Sequence, residues 1–296
     1  MDFVVAGVPK CGTSWIDYAL RSVIPLSLPQ HSKETFYLDR HFNLGAEWHR
    51  GLYDTQADRI GEVSPSYFSK KYVVERLKAL SPGCRIIIAL RNPYDRAVSA
   101  LLHRSRRGEF STVEEISGIS EDTWRAVRRY CAYADCGEWW LSAFGSEQVL
   151  FVAYDDIRAD PAGSLNRILC HAGFSEQIND EAAAGLSARM VFENAAPRSK
   201  TLVRMSRLVT QSLQRVGFTS VAGALQRSPA RKLLEKSGHQ NRGLRAALDQ
   251  HVRTQENFEA HIDSAENVLN RDLQHWRSAF QAAEPPGAAD GIGCSA

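Results

Sequence analysis

"VVAGVPKCGTSW", residues 4–15, carries an apolar run into a loop bounded by two glycines and out into a segment of helical character. A phosphate-binding loop of the nucleotidase type reads G-x-x-x-x-G-K-[ST], with its lysine directly after the second glycine. Gly7 and Gly12 keep that spacing and Ser14 keeps the hydroxyl, but Thr13 stands where the lysine belongs and Lys10 lies inside the loop. A strand that feeds such a loop and opens a helix aims backbone N–H groups and the positive end of the helix dipole at one point, so an anion belongs there. An NTPase would set its lysine on the β/γ-phosphates and bring a carboxylate to Mg²⁺ from a second strand end. Here no apolar strand ends in Asp, and the run at 85–90 ends in Arg91.

Outward from the loop, "FVVAG" at 3, "RIIIAL" at 85 and "QVLFVAY" at 148 are brief apolar, β-branched runs, each followed by an amphipathic helical pattern. That alternation predicts an α/β fold with a central parallel sheet and helices on both faces. Helices are expected over 13–22, 70–80, 94–105, 134–144 and 160–172, with Pro93 and Pro161 in first turns. The tryptophans of "EWW", 138–140, read as core. Beyond about residue 200 the chain reads as helical with no convincing strand. The expected division is a core over 1–200, a helical extension over 201–281 completing the same domain, and a disordered Pro/Gly-rich tail over 282–296.

Across 296 residues, 44% hydrophobic and 24% charged content are those of a globular protein, and no stretch approaches the roughly 20 apolar residues of a membrane span. The first apolar run is too short for a secretion signal. The six cysteines are dispersed, without C-x-x-C spacing, so reduced thiols and a cytoplasmic location are expected and neither a metal site nor a nucleic-acid partner is.

Two motifs together resemble a family. "VPKCGTSW" is similar to the P-K-x-G-T-[ST] loop of sulfotransferases that use 3′-phosphoadenosine 5′-phosphosulfate (PAPS), and "RIIIALRNPYDRAVSALLH", 85–103, resembles their R-[DN]-P-x-[DE]-R-x-x-S segment. "KETFYL" at 33, "GEVSPSYF" at 61, "WWLSAFGSEQVLFVAYDDIRADP" at 139 and "RDLQHW" at 271 also look like family landmarks, nearest to the glycan-type branch with its heparan sulfotransferases and bacterial relatives. The resemblance implies a P-loop NTPase-like three-layer fold and sulfuryl transfer from PAPS to an acceptor hydroxyl, with no metal. A sulfuryl group carries one negative charge fewer than a phosphoryl group, so a lysine alone can serve the leaving oxygen.

Residue by residue, the resemblance implies that Lys10, Cys11, Gly12, Thr13, Ser14 and Trp15 form the 5′-phosphosulfate loop, with Lys10 catalytic. Arg91 and Ser99 would hold the 3′-phosphate, although Arg91 could merely pair with Asp95. Arg198, Ser199 and Lys200 in "NAAPRSK" would add to that site, and Lys33 and Glu34 would face the acceptor. For the base that takes the acceptor's proton, Glu62 is the expected residue, with a histidine (His31, His41, His49 or His103) as the competitor. The acceptor stays open among glycan, lipid and small metabolite, and so does the oligomeric state. Residues 198–253 hold twelve Lys/Arg against Glu235 and Asp249, which suits either a solvated helical cap or contact with an anionic surface. Two rival readings remain, a small-molecule P-loop kinase and a non-catalytic nucleotide-binding module.

Overall fold

The structure is a computed structural model that describes residues 1–175 apart from 24–26, 31, 55, 56 and 58, then 178, 185, 196–197, 235–236 and 242–281. Arg198, Ser199, Lys200, most of the basic stretch and the tail over 282–296 lie outside the described residues.

Four parallel strands, β1 (Phe3–Gly7), β2 (Gly61–Val63), β3 (Arg85–Leu90) and β4 (Val149–Ala153), form one sheet in the order β2-β1-β3-β4. Val4 sits opposite Glu62 on one side and Ile86 on the other, and Ile88 sits opposite Phe151. Every residue of β1 is buried. A parallel sheet covered on both faces demands such a run, because neither side of the strand meets water.

The covering helices are α1 (Thr13–Val23), α2 (Tyr37–Arg40), α3 (Gly45–Arg50), α4 (Lys71–Leu80), α5 (Pro93–Arg106), α6 (Glu121–Arg129), α7 (Tyr133–Phe144), α8 (Tyr154–Ala159) and α9 (Pro161–His171). Five of them match the expected helices to within a residue or so. Their starts have local causes: Asn92 Oδ1 accepts from Tyr94 N–H at 3.0 Å and Asp160 Oδ1 from Gly163 N–H at 2.9 Å, each with a proline next in the chain. Trp140 is fully buried, as its expected core role requires, and its indole N–H donates to Phe68 O at 3.0 Å.

Near the C-terminus α10 (Arg242–Gln255) packs on α5, and α11 (Glu259–Leu269) packs on α7 and β4. α12 (Gln274–Gln281) follows. Leu248, Val252, Phe258, Ile262 and Trp276 join the same apolar cluster as the sheet. A two-residue antiparallel ladder, β5 (Ala196–Pro197) with β6 (Glu235–Lys236), was not legible as strand, since two residues carry no periodicity.

The four strands are parallel, so their C-terminal ends share one edge of the sheet. Loops leaving that edge are where ligands bind in open α/β folds.

Candidate active site

The loop after β1 places donors at that edge. Trp15 and Ile16 N–H both return to Gly12 O, at 2.9 and 3.1 Å, so the N–H groups of Thr13 and Ser14 have no backbone acceptor among the described residues. They open α1 and point at an anion site. Gly12 has φ 87°, and a Cβ there would lie 2.8 Å from the Tyr154 ring, so only glycine fits.

Two of the expected loop contacts are corrected. The Cys11 thiol is wholly buried, which pushes it up to about 12 against the pull of Arg96 and Arg91, and its N–H is taken by Val8 O at 3.2 Å. Trp15 is 1% exposed, its indole set in the core. Their apolar character anchors the loop from behind, and Lys10, Gly12, Thr13 and Ser14 are left to face the ligand.

Cations crowd this point. Lys33 Nζ lies 3.3 Å from both Thr13 Oγ1 and Ser14 Oγ and 3.7 Å from Glu34 Oε1. Burial, then the like charges of Arg106, Lys33 and Arg107, bring Lys10 down to about 7, with Glu34 acting the other way. Burial raises the Glu34 carboxyl above its ordinary value while Lys33 and Lys10 oppose the rise. Lys10, Lys33 and Glu34 are therefore mutually coupled at the mouth of the loop. The sequence reading missed Arg106 and Arg107 at the end of α5, although the run "HRSRRG" at 103–108, on the helix that carries Ser99, was the available signal.

On the far side of the loop Arg91 leaves β3. Its Nη1 reaches Lys10 O at 3.5 Å, its guanidinium stacks 4.8 Å from the Tyr154 ring centre, and its backbone O accepts from Tyr133 OH at 2.7 Å. The pair with Asp95 forms at 3.1 Å but uses only Nη2, while Nε is buried without a partner. A guanidinium held in place with an unused donor fits a bound anion. Ser99 follows on α5, half-buried. The C-terminal landmark closes the rim: Asn92 Nδ2 donates to Trp276 O at 3.1 Å, and the Trp276 indole N–H donates to Asp155 at 2.5 Å.

Glu62, the expected base, is the central residue of β2. It has no exposure, and its carboxylate takes five donors. Oε1 accepts from Thr35 Oγ1 at 2.5 Å, from Tyr67 OH at 2.7 Å and from Ser64 Oγ; Oε2 accepts from Tyr53 OH at 2.9 Å and from His49 Nε2 at 3.0 Å. Burial alone would raise this carboxyl, but the His49 contact and the Ser64 and Thr35 hydroxyls outweigh it and hold it at about 2. The same network engages His49, one of the competing histidines. Glu34, placed by the sequence reading on the acceptor, is the carboxylate at the mouth, its side chain 29% exposed.

Among the described residues no group of three or more His, Cys, Asp or Glu is placed to hold a metal ion. Comparison with known proteins finds that the family described as "Sulfotransferase domain" matches residues 1–214. The human heparan sulfate glucosamine 3-O-sulfotransferase 3B1 is 29% identical over 187 residues, 60% of this chain and 47% of that protein. The human bifunctional heparan sulfate N-deacetylase/N-sulfotransferase 2 is 27% identical over 197 residues, 60% of this chain and 22% of that protein. The chain thus spans about half or less of the curated relatives it matches. Among solved structures, a sulfotransferase from Alicyclobacillus acidocaldarius shares the fold with a TM-score of 0.57 and 21% identity, over 93% of this chain and 98% of that one.

Proposed function

The chain belongs to the sulfotransferase domain family, and we propose from that membership and from the site that it moves a sulfuryl group from PAPS to an acceptor hydroxyl. The observation that carries the reading is Lys33 Nζ held 3.3 Å from the hydroxyls of Thr13 and Ser14 with Glu34 beside it, and Arg91 reaching Lys10 O across the loop. In this reading Thr13, Ser14 and Lys33 hold the 5′-phosphate, and Arg91 with Ser99 holds the 3′-phosphate. The acceptor oxygen forms a bond to sulfur while the bond from sulfur to the 5′-phosphate oxygen breaks, its electron pair staying on phosphate. Lys10 meets that growing charge, and its crowding by other cations makes an arriving anion more welcome. Glu62, the carboxylate of "GEVSPSYF", is the residue that takes the acceptor proton in this reading, and Glu34 at the mouth of the loop contacts the acceptor.

The curated relatives are named for heparan sulfate, so a glycan hydroxyl is the acceptor class proposed here. The kinase reading is not favoured, because the loop lacks the Gly-Lys dipeptide, and the module reading is not favoured, because Lys10 and Glu62 are both in place.

The test is transfer from radiolabelled PAPS to a panel of glycan oligosaccharides. Lys10→Ala should lower the rate about a hundredfold or more. Glu62→Gln should keep 3′-phosphoadenosine 5′-phosphate (PAP) binding and lose transfer by about a hundredfold or more. A Glu62→Gln enzyme with near-normal turnover would move the base elsewhere.

A further inference from the structure

Arg91 and Asn92 join β3 to α5 and belong to neither. The height of the Arg91 guanidinium above the phosphate loop is therefore set by what holds its backbone. One group does so from outside the motif: the hydroxyl of Tyr133, the first residue of α7, donates to Arg91 O at 2.7 Å across 42 positions of chain. Tyr133 is wholly buried, its ring set edge-on to Phe68 with centroids 6.4 Å apart and planes at 62°. The start of α7 has no side-chain cap to fix it, since Ala132 stands at that position. The turn before it is held instead by Arg96, which is 1% exposed. Arg96 Nη2 donates to Val127 O at 2.5 Å and Nε to Cys131 Sγ at 3.2 Å, and that thiol donates to Pro93 O at 3.9 Å.

We infer that Arg96 and Tyr133 are positioning residues, which by way of the turn between α6 and α7 hold Arg91 at the height a 3′-phosphate requires. A buried guanidinium is costly, and an apolar side chain would fill the same space without that cost. Arg96 has no carboxylate partner among the described residues. Its charge meets the C-terminal end of α6, where the last carbonyls lack intrahelical donors and the helix dipole is negative. What an apolar side chain cannot do is fork onto Val127 O and Cys131 at once and so fix the turn in two directions. Burial raises the Cys131 thiol against the pull of Arg96, so the sulfur keeps its proton and donates it to Pro93 O. The links close a ring: Arg96 on α5, the turn over 127–131, Tyr133 on α7, and Arg91 at the foot of α5 again.

The inference rests on the proposed reading of Arg91 as a 3′-phosphate contact, and its test separates the two. Tyr133→Phe keeps the ring and removes the hydroxyl. Titration should show it weakening PAP about tenfold, while adenosine 5′-phosphosulfate, which lacks the 3′-phosphate, changes by less than about twofold. Combined with Arg91→Ala it should bind PAP no worse than Arg91→Ala alone, because the hydroxyl acts through that arginine. Arg96→Met keeps the bulk, removes the fork and should show the same selective loss, whereas a variant that merely loosened the fold would weaken both ligands alike. Equal losses for the two ligands, or losses that add to that of Arg91→Ala, would overturn the inference; a selective loss in Tyr133→Phe without one in Arg96→Met would remove Arg96 from it. If the wild-type chain does not bind PAP, or Arg91→Ala leaves binding untouched, the proposed reading falls, and hydrogen exchange on the full chain decides the tether. The amides of Tyr94 and Arg96, both bonded to Asn92, should then open about tenfold faster or more in Tyr133→Phe, and unchanged rates would overturn it. Should Arg96→Met fail to fold, Cys131→Ala cuts the nearer link and is read by the same titrations.

Discussion

Replacing Glu62 by glutamine should change how the protein responds to acid, and the size of the change follows from the network. The folded protein holds this carboxyl at about 2 against an ordinary value of 4.5. That gap of 2.5 pH units, at about 1.36 kcal/mol each, corresponds to about 3 kcal/mol of folding stability. Because the folded value is the lower one, the contribution is complete above pH 4.5, drains away between 4.5 and 2, and is gone below. Within that window the wild type should lose stability more steeply than Glu62→Gln, by about 1.4 kcal/mol per pH unit, equivalent to one extra proton taken up on unfolding. At pH 7 the variant should be less stable by about 3 kcal/mol or more, since its amide also turns a donor toward donors. Urea unfolding of both proteins at pH 7, 5, 4 and 3.5 measures it, with stabilities extrapolated to water. Parallel pH profiles for the two proteins would refute the reasoning, because they would mean that Glu62 is not held ionised by its neighbours.

Three further outcomes are expected. With Lys10 depressed to about 7 by burial and neighbouring cations, the free protein has mostly lost that charge at pH 8, and an arriving anion restores it. Calorimetry of PAP binding at pH 8 in two buffers of different ionisation enthalpy should therefore show uptake of close to one proton, absent at pH 5.5 and absent in Lys10→Met. Arg91→Ala should weaken PAP binding by about 1.5 to 3 kcal/mol and leave binding of adenosine 5′-phosphosulfate nearly unchanged; equal losses for both ligands would move Arg91 away from the 3′-phosphate. Gly12→Ala, which must strain φ 87° and set a Cβ only 2.8 Å from the Tyr154 ring, should cost about 1 to 3 kcal/mol in urea unfolding and reduce PAP binding with it.

The sequence made the sheet legible where strands were long and apolar and helices were capped by Asn92 and Asp160. β2 was not read as a strand because three residues are too few for a pattern, and its central residue is the charged Glu62. That same brevity hid the surroundings of the expected base. A glutamate beside a Ser-Pro turn reads as exposed until Tyr53, His49 and Tyr67, which are spread over elements that share no sequence pattern, are seen to close over it. Lys10 and Arg91 were legible because a loop and a strand end are local. The pairing of Lys33 with Thr13 and Ser14, twenty and nineteen residues away, was not. Nor was the concealment of Cys11 and Trp15, since a motif says which residues sit in a loop and not which way their side chains turn.

Asn92 caps the helix beside Arg91 with one side-chain atom and grips Trp276 O with another, across 184 positions of chain. That contact gives the molecule a timetable. On a ribosome that adds roughly 5 to 20 residues per second, the phosphate loop and β3 emerge long before the residue that closes their rim. Between the emergence of β4 and that of Trp276, then, the nascent chain has its sheet and a half-built anion pocket whose positive charges face solvent with one wall missing. Contacts between such distant parts are slow to form, so the rim is among the last features of the fold to be made. Any ligand that binds the finished pocket should hasten the docking of the final helix, and losing the residues around Trp276 should reopen a site to which they contribute no charged group of the loop itself.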